Sequence, residues 1–244
     1  VNFVRPAHRL VALHGSTVVP VKALGLTAGN STQGHRFEAK VATVVLAHAD
    51  SYAQTLAQDG AVIASFTERR AEIARQLQAA AAKVGGGVHA IDDADLLDEV
   101  TALVERPNVL VCAFEKQFLD VPQECLILTM KANQKYFPLL DASGKLTHQF
   151  LVVSNITPDD ASAVVGGNER VVRPRLADAK FFFDQDRRKT LASRVEGLGK
   201  VVYHNKLGTQ GERTERVRAI AKAIASLLPQ GKEGAFVQAV DLSL

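Results

Sequence analysis

Asn168–Lys189 reads N-E-R-V-V-R-P-R-L-A-D-A-K-F-F-F-D-Q-D-R-R-K. The stretch carries seven cationic side chains (Arg170, Arg173, Arg175, Lys180, Arg187, Arg188 and Lys189) against four acidic ones (Glu169, Asp178, Asp184 and Asp186). The whole chain has 29 Lys+Arg and 26 Asp+Glu, so its formal charge of +3 is concentrated here. Pro174 suits a first helical position, where its fixed φ fits and its missing N–H is not needed. Behind it Leu176, Ala179, Phe182 and Phe183 recur at helical spacing. Phe181, Phe182 and Phe183 fan over roughly 200° at 100° per residue, so a helix lying between two bodies is expected. A solvated basic helix and a cationic rim for a phosphate backbone share this composition, which does not choose between them.

Outward from that stretch the character of the chain differs on its two sides. Before it, strand-like and helix-like segments alternate. Val11–Leu13 and Val18–Val21 flank a Gly-containing turn and read as a hairpin. The glycines at 25, 29 and 34 lack the order of a phosphate-cradling loop, so they are expected to serve the backbone. Lys40–Leu46 reads as a strand and Asp50–Gln58 as a helix. Thr67 is expected to cap a helix running to Val84, with Ala71, Ala74, Leu77, Ala81 and Val84 on one face and Gly85-Gly86-Gly87 ending it. Asp92 or Asp93 opens the next helix, whose buried stripe is Leu96, Leu97, Val100, Leu103 and Val104. Val109–Phe114 is a continuous apolar run, as in a strand covered on both faces. A helix from Asp120 through Lys131 follows, then Tyr136–Leu140 and Leu146–Ser154 pair as a hairpin across Asp141–Gly144.

Beyond Asn155, Thr157–Gly167 reads as a polar connection, and only helices are expected from Pro174 onward. The clearest begins at Thr209, where T-Q-G-E forms a capping box with Glu212. Val217, Ile220, Ala221, Ile224, Leu227 and Leu228 follow the helical template, and Pro229 and Gly231 terminate it. The fold expected is therefore α+β, a mixed sheet-and-helix N-terminal domain over residues 1–172 and an all-helical segment over 173–244.

Composition narrows the class of protein. Hydrophobic content of 47% and charged content of 23% are those of a globular chain, and the pI near 8.9 is only mildly basic. No apolar run approaches the ~18 residues of a membrane span. Cys112 and Cys125 fit reduced thiols of a cytoplasmic protein better than a disulfide framework, and Cys112 within V-L-V-C-A-F is expected to be buried. Starting at Val1 and stopping at V-D-L-S-L, the chain reads as a piece of something longer. The histidines at 8, 14, 35, 48, 89, 148 and 204 show no metal-ligand spacing, and there is no C-x-x-C or G-x-S-x-G. Asp92, Asp93, Asp95, Asp98 and Glu99 sit where a helix starts and suit its dipole. His204 is expected to be a packing or capping residue. No self-contained catalytic site and no metal site is expected.

Six phrases carry a resemblance: F-V-R-P at Phe3–Pro6, G-H-R-F at Gly34–Phe37, V-P-Q-E-C-L-I-L-T-M-K-A-N-Q-K-Y-F at Val121–Phe137, F-L-V-V-S-N-I at Phe150–Ile156, G-N-E-R-V-V-R-P-R-L-A-D-A-K-F-F-F-D-Q-D at Gly167–Asp186, and V-V-Y-H-N-K-L-G-T-Q-G-E-R at Val201–Arg213. In this order they resemble the beta subunit of the bacterial heterotetrameric glycyl-tRNA synthetase. The resemblance implies a partner alpha subunit in an alpha2beta2 assembly. ATP, Mg2+ and the adenylation of glycine would belong to that alpha chain, with no cofactor in the piece described here. It implies binding of tRNA-Gly by the beta chain. It also implies that the first domain looks like the module of the phenylalanyl-tRNA synthetase beta chain and that the helical tail resembles the start of an HD-like domain. The usual beginning of the subunit and its C-terminal anticodon-binding region would be missing.

On this reading Arg170, Arg173, Arg175, Lys180, Arg187, Arg188 and Lys189 are the expected RNA contacts. Lys131, Asn133, Gln134 and Lys135 form a second set, which reads equally well as a helix-to-strand turn. Phe181 is the expected subunit-docking residue. Two alternatives stand beside it: a docking platform for the alpha subunit without RNA contact, and an editing-type hydrolase resting on fold analogy alone.

Overall fold

The computed structural model describes residues 7–227. The F-V-R-P phrase at Phe3–Pro6 and the helix-ending Leu228, Pro229 and Gly231 lie outside the described residues. The chain divides into two compact units, one through Lys180 and one from Phe181 on.

The first unit opens with short antiparallel pairs: β1 (Leu13–His14) with β2 (Thr17–Val18), β3 (Lys22–Ala23) with β4 (Leu26–Thr27), and β5 (Ser31–Thr32) with β6 (Val44–Val45). The first hairpin lies where the alternation predicts it, its turn carried by Gly15 at φ 60°. The strand expected over 40–46 shrinks to two residues, Val44–Val45. Helix α1 (Tyr52–Gln58) closes a small core in which Val44, Leu46 and Leu56 are buried.

Helix α2 (Phe66–Val84) starts two residues earlier than expected, because Ser65 and not Thr67 accepts the N–H of Glu68, at 3.3 Å. Its buried edge is Ile73, Leu77, Ala80 and Ala81, while Ala71 faces solvent. The larger Ile73 takes the core position at this end of the helix in place of the smaller Ala71 and Ala74. Gly85, Gly86 and Gly87 all take positive φ and end the helix.

β7 (His89–Ala90) leads to α3 (Ala94–Leu103), capped by Asp93, whose Oδ1 accepts the Leu96 N–H at 2.9 Å. Leu96, Val100 and Val104 are buried, but Leu103 is 58% exposed. β8 (Asn108–Ala113), α4 (Gln123–Gln134), β9 (Phe137–Leu140) and β10 (Leu146–Ser154) follow. The sheet has the order β7-β9-β10-β8, and all its pairings are antiparallel.

Alternation across this sheet separates two faces. Phe137, Leu139, Leu151, Val109 and Val111 pack with α2 and α3. On the other face Phe150 is fully buried between Tyr136 and Phe114, at ring distances of 4.8 and 6.3 Å. Cys112 shares that face, 1% exposed, and burial pushes its thiol up to about 12. Both cysteines are free, Cys112 buried and Cys125 exposed. The remainder of β8 is only partly covered, so a continuous apolar run overstated its burial.

Helix α5 (Ser162–Asp186) departs most from expectation. It begins twelve residues before Pro174, inside the segment read as a polar connection, and Pro174 lies in its interior. The reason is tertiary. Val165, Glu169, Val172 and Leu176 fall at i, i+3, i+4 spacing, and Val172 and Leu176 are fully buried. That docking stripe outweighs the helix-breaking tendency of Pro174, which stands exposed so that the unpaired carbonyl one turn back can be hydrated.

The second unit is not all helical. After a 3-10 run over Ala192–Lys200, β11 (Val202–His204) pairs with β12 (Gly208–Thr209). Gly208 holds φ 83°, and a Cβ there would meet the Glu212 carboxyl carbon at 2.8 Å. The capping box is present: the Thr209 N–H donates to Glu212 Oε2 at 2.6 Å, and the Glu212 N–H donates to Thr209 Oγ1 at 3.2 Å. It opens α6 (Gln210–Leu227), on which Ala225 is buried while Val217, Ile220, Ile224 and Leu227 are exposed. The apolar period of α6 was legible, but its burial is not realised among the described residues. No helix among the described residues is long and apolar enough to cross a membrane.

Candidate nucleic-acid interface

The phrase G-N-E-R-V-V-R-P-R divides its side chains between two directions. Asn168 accepts the Tyr136 hydroxyl at 2.8 Å and donates to the Val164 carbonyl at 2.8 Å. Glu169 Oε1 accepts the Ala113 N–H at 2.9 Å, so a carboxylate from α5 terminates β8. Burial raises the Tyr136 phenol to about 12, so it stays a donor throughout the working range. With Val172 and Leu176 these groups fix the rotation of the helix. At 100° per residue Arg170 then lies roughly opposite the buried stripe, with Arg173 and Arg175 flanking it. All three are exposed.

Arg173 is not a bare cation. Its Nε donates to Glu115 at 2.5 Å, across the end of β8. Hydrogen bonding to its own backbone N–H, and then to Arg173, holds the Glu115 carboxyl below its usual value. Lys180 is partly buried.

In the second unit Phe181 and Phe182 meet edge to face at 5.5 Å and are 57% and 63% exposed. Phe183 is partly buried and lies under the Arg187 guanidinium, 5.3 Å from its centroid. Arg188 and Lys189 are exposed. Arg194 pairs with Asp186 at 3.2 Å and so neutralises one of the acidic groups of the stretch.

The second expected set is held differently. Lys131 ion-pairs with Asp93, and Lys135 with Glu99 at 2.9 Å, so the two ammonium groups bind the C-terminal end of α4 to the cap and the middle of α3. Lys135 also ends α4 in the left-handed region, at φ 57°. Asn133 donates to the Thr129 carbonyl at 3.2 Å, and Gln134 is partly buried. The acidic cluster read as dipole-stabilising is thus equally a set of ion-pair partners, Asp98 meeting Arg70 at 2.5 Å.

Asp93 accordingly links cap and ion pair. The Lys131 ammonium first, then the Leu96 N–H, holds its carboxyl below the usual value. A lowered folded value stabilises above the ordinary carboxylate pKa near 4, and that stability is lost as pH falls through the depressed value. Replacing Asp93 by alanine is expected to reduce stability by about 1–2 kcal/mol at pH 7. Urea titrations should show the difference from the parent shrinking as pH falls below the ordinary carboxylate value near 4.

His204 is exposed and its Nδ1 accepts the Lys206 N–H at 3.1 Å, which shapes the β11–β12 turn without burying the ring. Tyr203 lies under Arg213 at 4.9 Å. Among the described residues no group of His, Cys, Asp and Glu gathers in a way that could hold a metal ion.

What sequence reasoning missed is the opposite fate of neighbours within G-H-R-F. His35 is 2% exposed, whereas Phe37 is 75% exposed. The partner that buries His35 is the carbonyl of Asn155, at 2.6 Å and 120 residues away, and no local signal announces it.

Comparison with known proteins adds the lineage. The family model described as "Glycyl-tRNA synthetase beta subunit" matches residues 1–243. A glycine–tRNA ligase beta subunit of Polaromonas naphthalenivorans (strain CJ2) is 83% identical over 228 residues, covering 93% of this chain and 32% of that protein. That of Delftia acidovorans (strain DSM 14801 / SPH-1) is 81% identical over 229 residues, and that of Dechloromonas aromatica (strain RCB) 76% over 232. In each case 93% of this chain is covered, so the chain spans about a third of the length of the curated relatives it matches. With a match of that extent running through both units, this chain belongs to the glycyl-tRNA synthetase beta subunit family.

Proposed function

We propose that the chain supplies tRNA grip to an ATP-dependent glycine–tRNA ligase, working beside an alpha subunit that holds ATP, Mg2+ and glycine in an alpha2beta2 enzyme. The observation that supports this most is the division of labour along α5. Asn168, Glu169, Val172 and Leu176 anchor the helix, and Arg170 and Arg175 are thereby held in solvent on a fixed frame, with Arg173 exposed beside them but paired to Glu115. Arg187, Arg188 and Lys189 continue the same segment with exposed cations. An array of pre-positioned guanidinium groups suits a polyphosphate backbone, because each contact releases condensed counterions without an ordering cost for the helix. Lys131 and Lys135 would have to leave Asp93 and Glu99 to join it, so they carry less of the proposal.

A second reading is favoured by the exposed pair Phe181 and Phe182, which fits docking of the alpha subunit. Phe181→Asp in the full-length beta subunit separates the two. Under the tRNA reading the alpha subunit still co-purifies, while tRNA-Gly binding weakens about threefold to tenfold from one added negative charge beside the cations. Loss of the alpha subunit from the purified complex would transfer the surface to assembly.

A further inference from the structure

The turn Gly34–Phe37 is clamped from below and open above. His35 Nδ1 accepts the N–H groups of Phe37 and Glu38, each at 3.2 Å. An Nδ1 that accepts carries no proton, so the hydrogen is on Nε2 and is donated to the Asn155 carbonyl at 2.6 Å. The His35 N–H meets the Gly60 carbonyl at 2.6 Å. Glu38, next along, is turned away: its carboxylate pairs with Arg106 at 2.9 Å and accepts the Thr157 N–H.

On this rigid base Phe37 is 75% exposed, and the Arg36 guanidinium lies over its ring, 5.5 Å from the centroid. Beside the turn is a cleft of about 590 Å³ lined by His8, Gln33, Arg36, Lys40 and Val41 among others, and among the described residues no carboxylate lines it. The backbone that carries the ring is held, since the Phe37 and Glu38 N–H groups both donate to His35. A fixed aromatic with cations beside it and carboxylates turned away is the arrangement that single-stranded nucleic acid requires: a stacking surface and a phosphate rim.

We propose that the Arg36–Phe37 turn is a seat for an unpaired RNA nucleotide, with the base stacked on Phe37 and its phosphates met by Arg36 and Lys40. The proposal rests on the reading of this chain as an RNA-gripping one and extends it to a second contact, of stacking type, apart from the phosphate contacts of α5.

The chain contains no tryptophan, so Phe37→Trp introduces a single indole at the seat. Its emission should be quenched when a five-nucleotide single-stranded adenosine oligomer, or tRNA-Gly, is added. Phe37→Ala should weaken oligomer binding roughly tenfold while leaving the melting temperature unchanged. Oligomer that does not bind, or that binds with the indole emission unaltered, would overturn the proposal. So would an emission change produced only by the alpha subunit, which would make the turn a protein contact. Charge reversal on α5 separates the two readings. If tRNA-Gly binds through α5 while the indole is silent, the seat falls and the α5 reading stands. If the oligomer quenches the indole while tRNA affinity ignores the α5 charges, the reverse holds.

Discussion

Gly34→Ala should be the most destabilising single-methyl change in the first unit. A Cβ at Gly34 would overlap the Gly60 Cα and carbonyl oxygen and stand 2.7 Å from the Gly60 carbonyl carbon. The obstacle is backbone, not a side chain that can swing aside. Nor can the two segments separate cheaply, because the His35 N–H to Gly60 carbonyl bond and the buried His35–Asn155 bond hold the same contact together. Overpacking of this kind costs about 3 kcal/mol, equivalent to a melting temperature lower by roughly 6–12 °C for a chain of this size. Gly29→Ala is the control, since nothing lies within 4 Å of the added methyl and its backbone needs no positive φ. Calorimetry on the two variants would show the difference. Equal melting temperatures would mean that the Gly34–Gly60 approach is not a constraint.

Much of the fold was legible where local chemistry and tertiary need coincide. The Gly85–Gly87 stop of α2, the Asp93 cap, the β9–β10 hairpin and the Thr209–Glu212 capping box are signals contained within a few residues. The misreadings arise where a distant partner decides. Pro174 looks like a helix start until Glu169 is seen to hold the Ala113 N–H of β8 and Val172 and Leu176 to be fully buried, which carries the helix through the proline. The β11–β12 pair escaped notice because strands of two or three residues have no period to read, although Gly208 at φ 83° marks the turn. At the candidate interface the cations themselves were legible. Which of them are tied up was not: Arg173 meets Glu115, 58 residues earlier, and Lys131 meets Asp93 across two elements.

That sorting selects the variant with the largest expected effect on function. Arg170, Arg175 and Arg188 are exposed, and reversing all three to glutamate leaves the Arg173–Glu115 pair and the buried Val172–Leu176 stripe in place. At 0.15 M salt, counterion release gives each phosphate neutralised by a cation roughly fivefold in affinity, so three contacts amount to roughly a hundredfold or more. Reversal adds repulsion to that loss. The variant should therefore bind tRNA-Gly at least about a hundredfold more weakly, with an unchanged melting temperature as evidence that α5 remains docked. Binding within threefold of the parent would remove α5 from the interface and leave the exposed Phe181–Phe182 pair as its more active surface.

The most direct measurement is a titration of tRNA-Gly into this chain at 50 and 200 mM salt, with and without the alpha subunit. If the exposed cations Arg170, Arg175, Arg187, Arg188 and Lys189 each meet a phosphate, the log–log slope should be about −3.5 to −4.5. Affinity would then fall by roughly a hundredfold to five-hundredfold across that range, and the triple reversal should flatten the slope by about 2 to 3. An affinity indifferent to salt, or the same slope in the parent and the reversed chain, would contradict an RNA grip built on these cations.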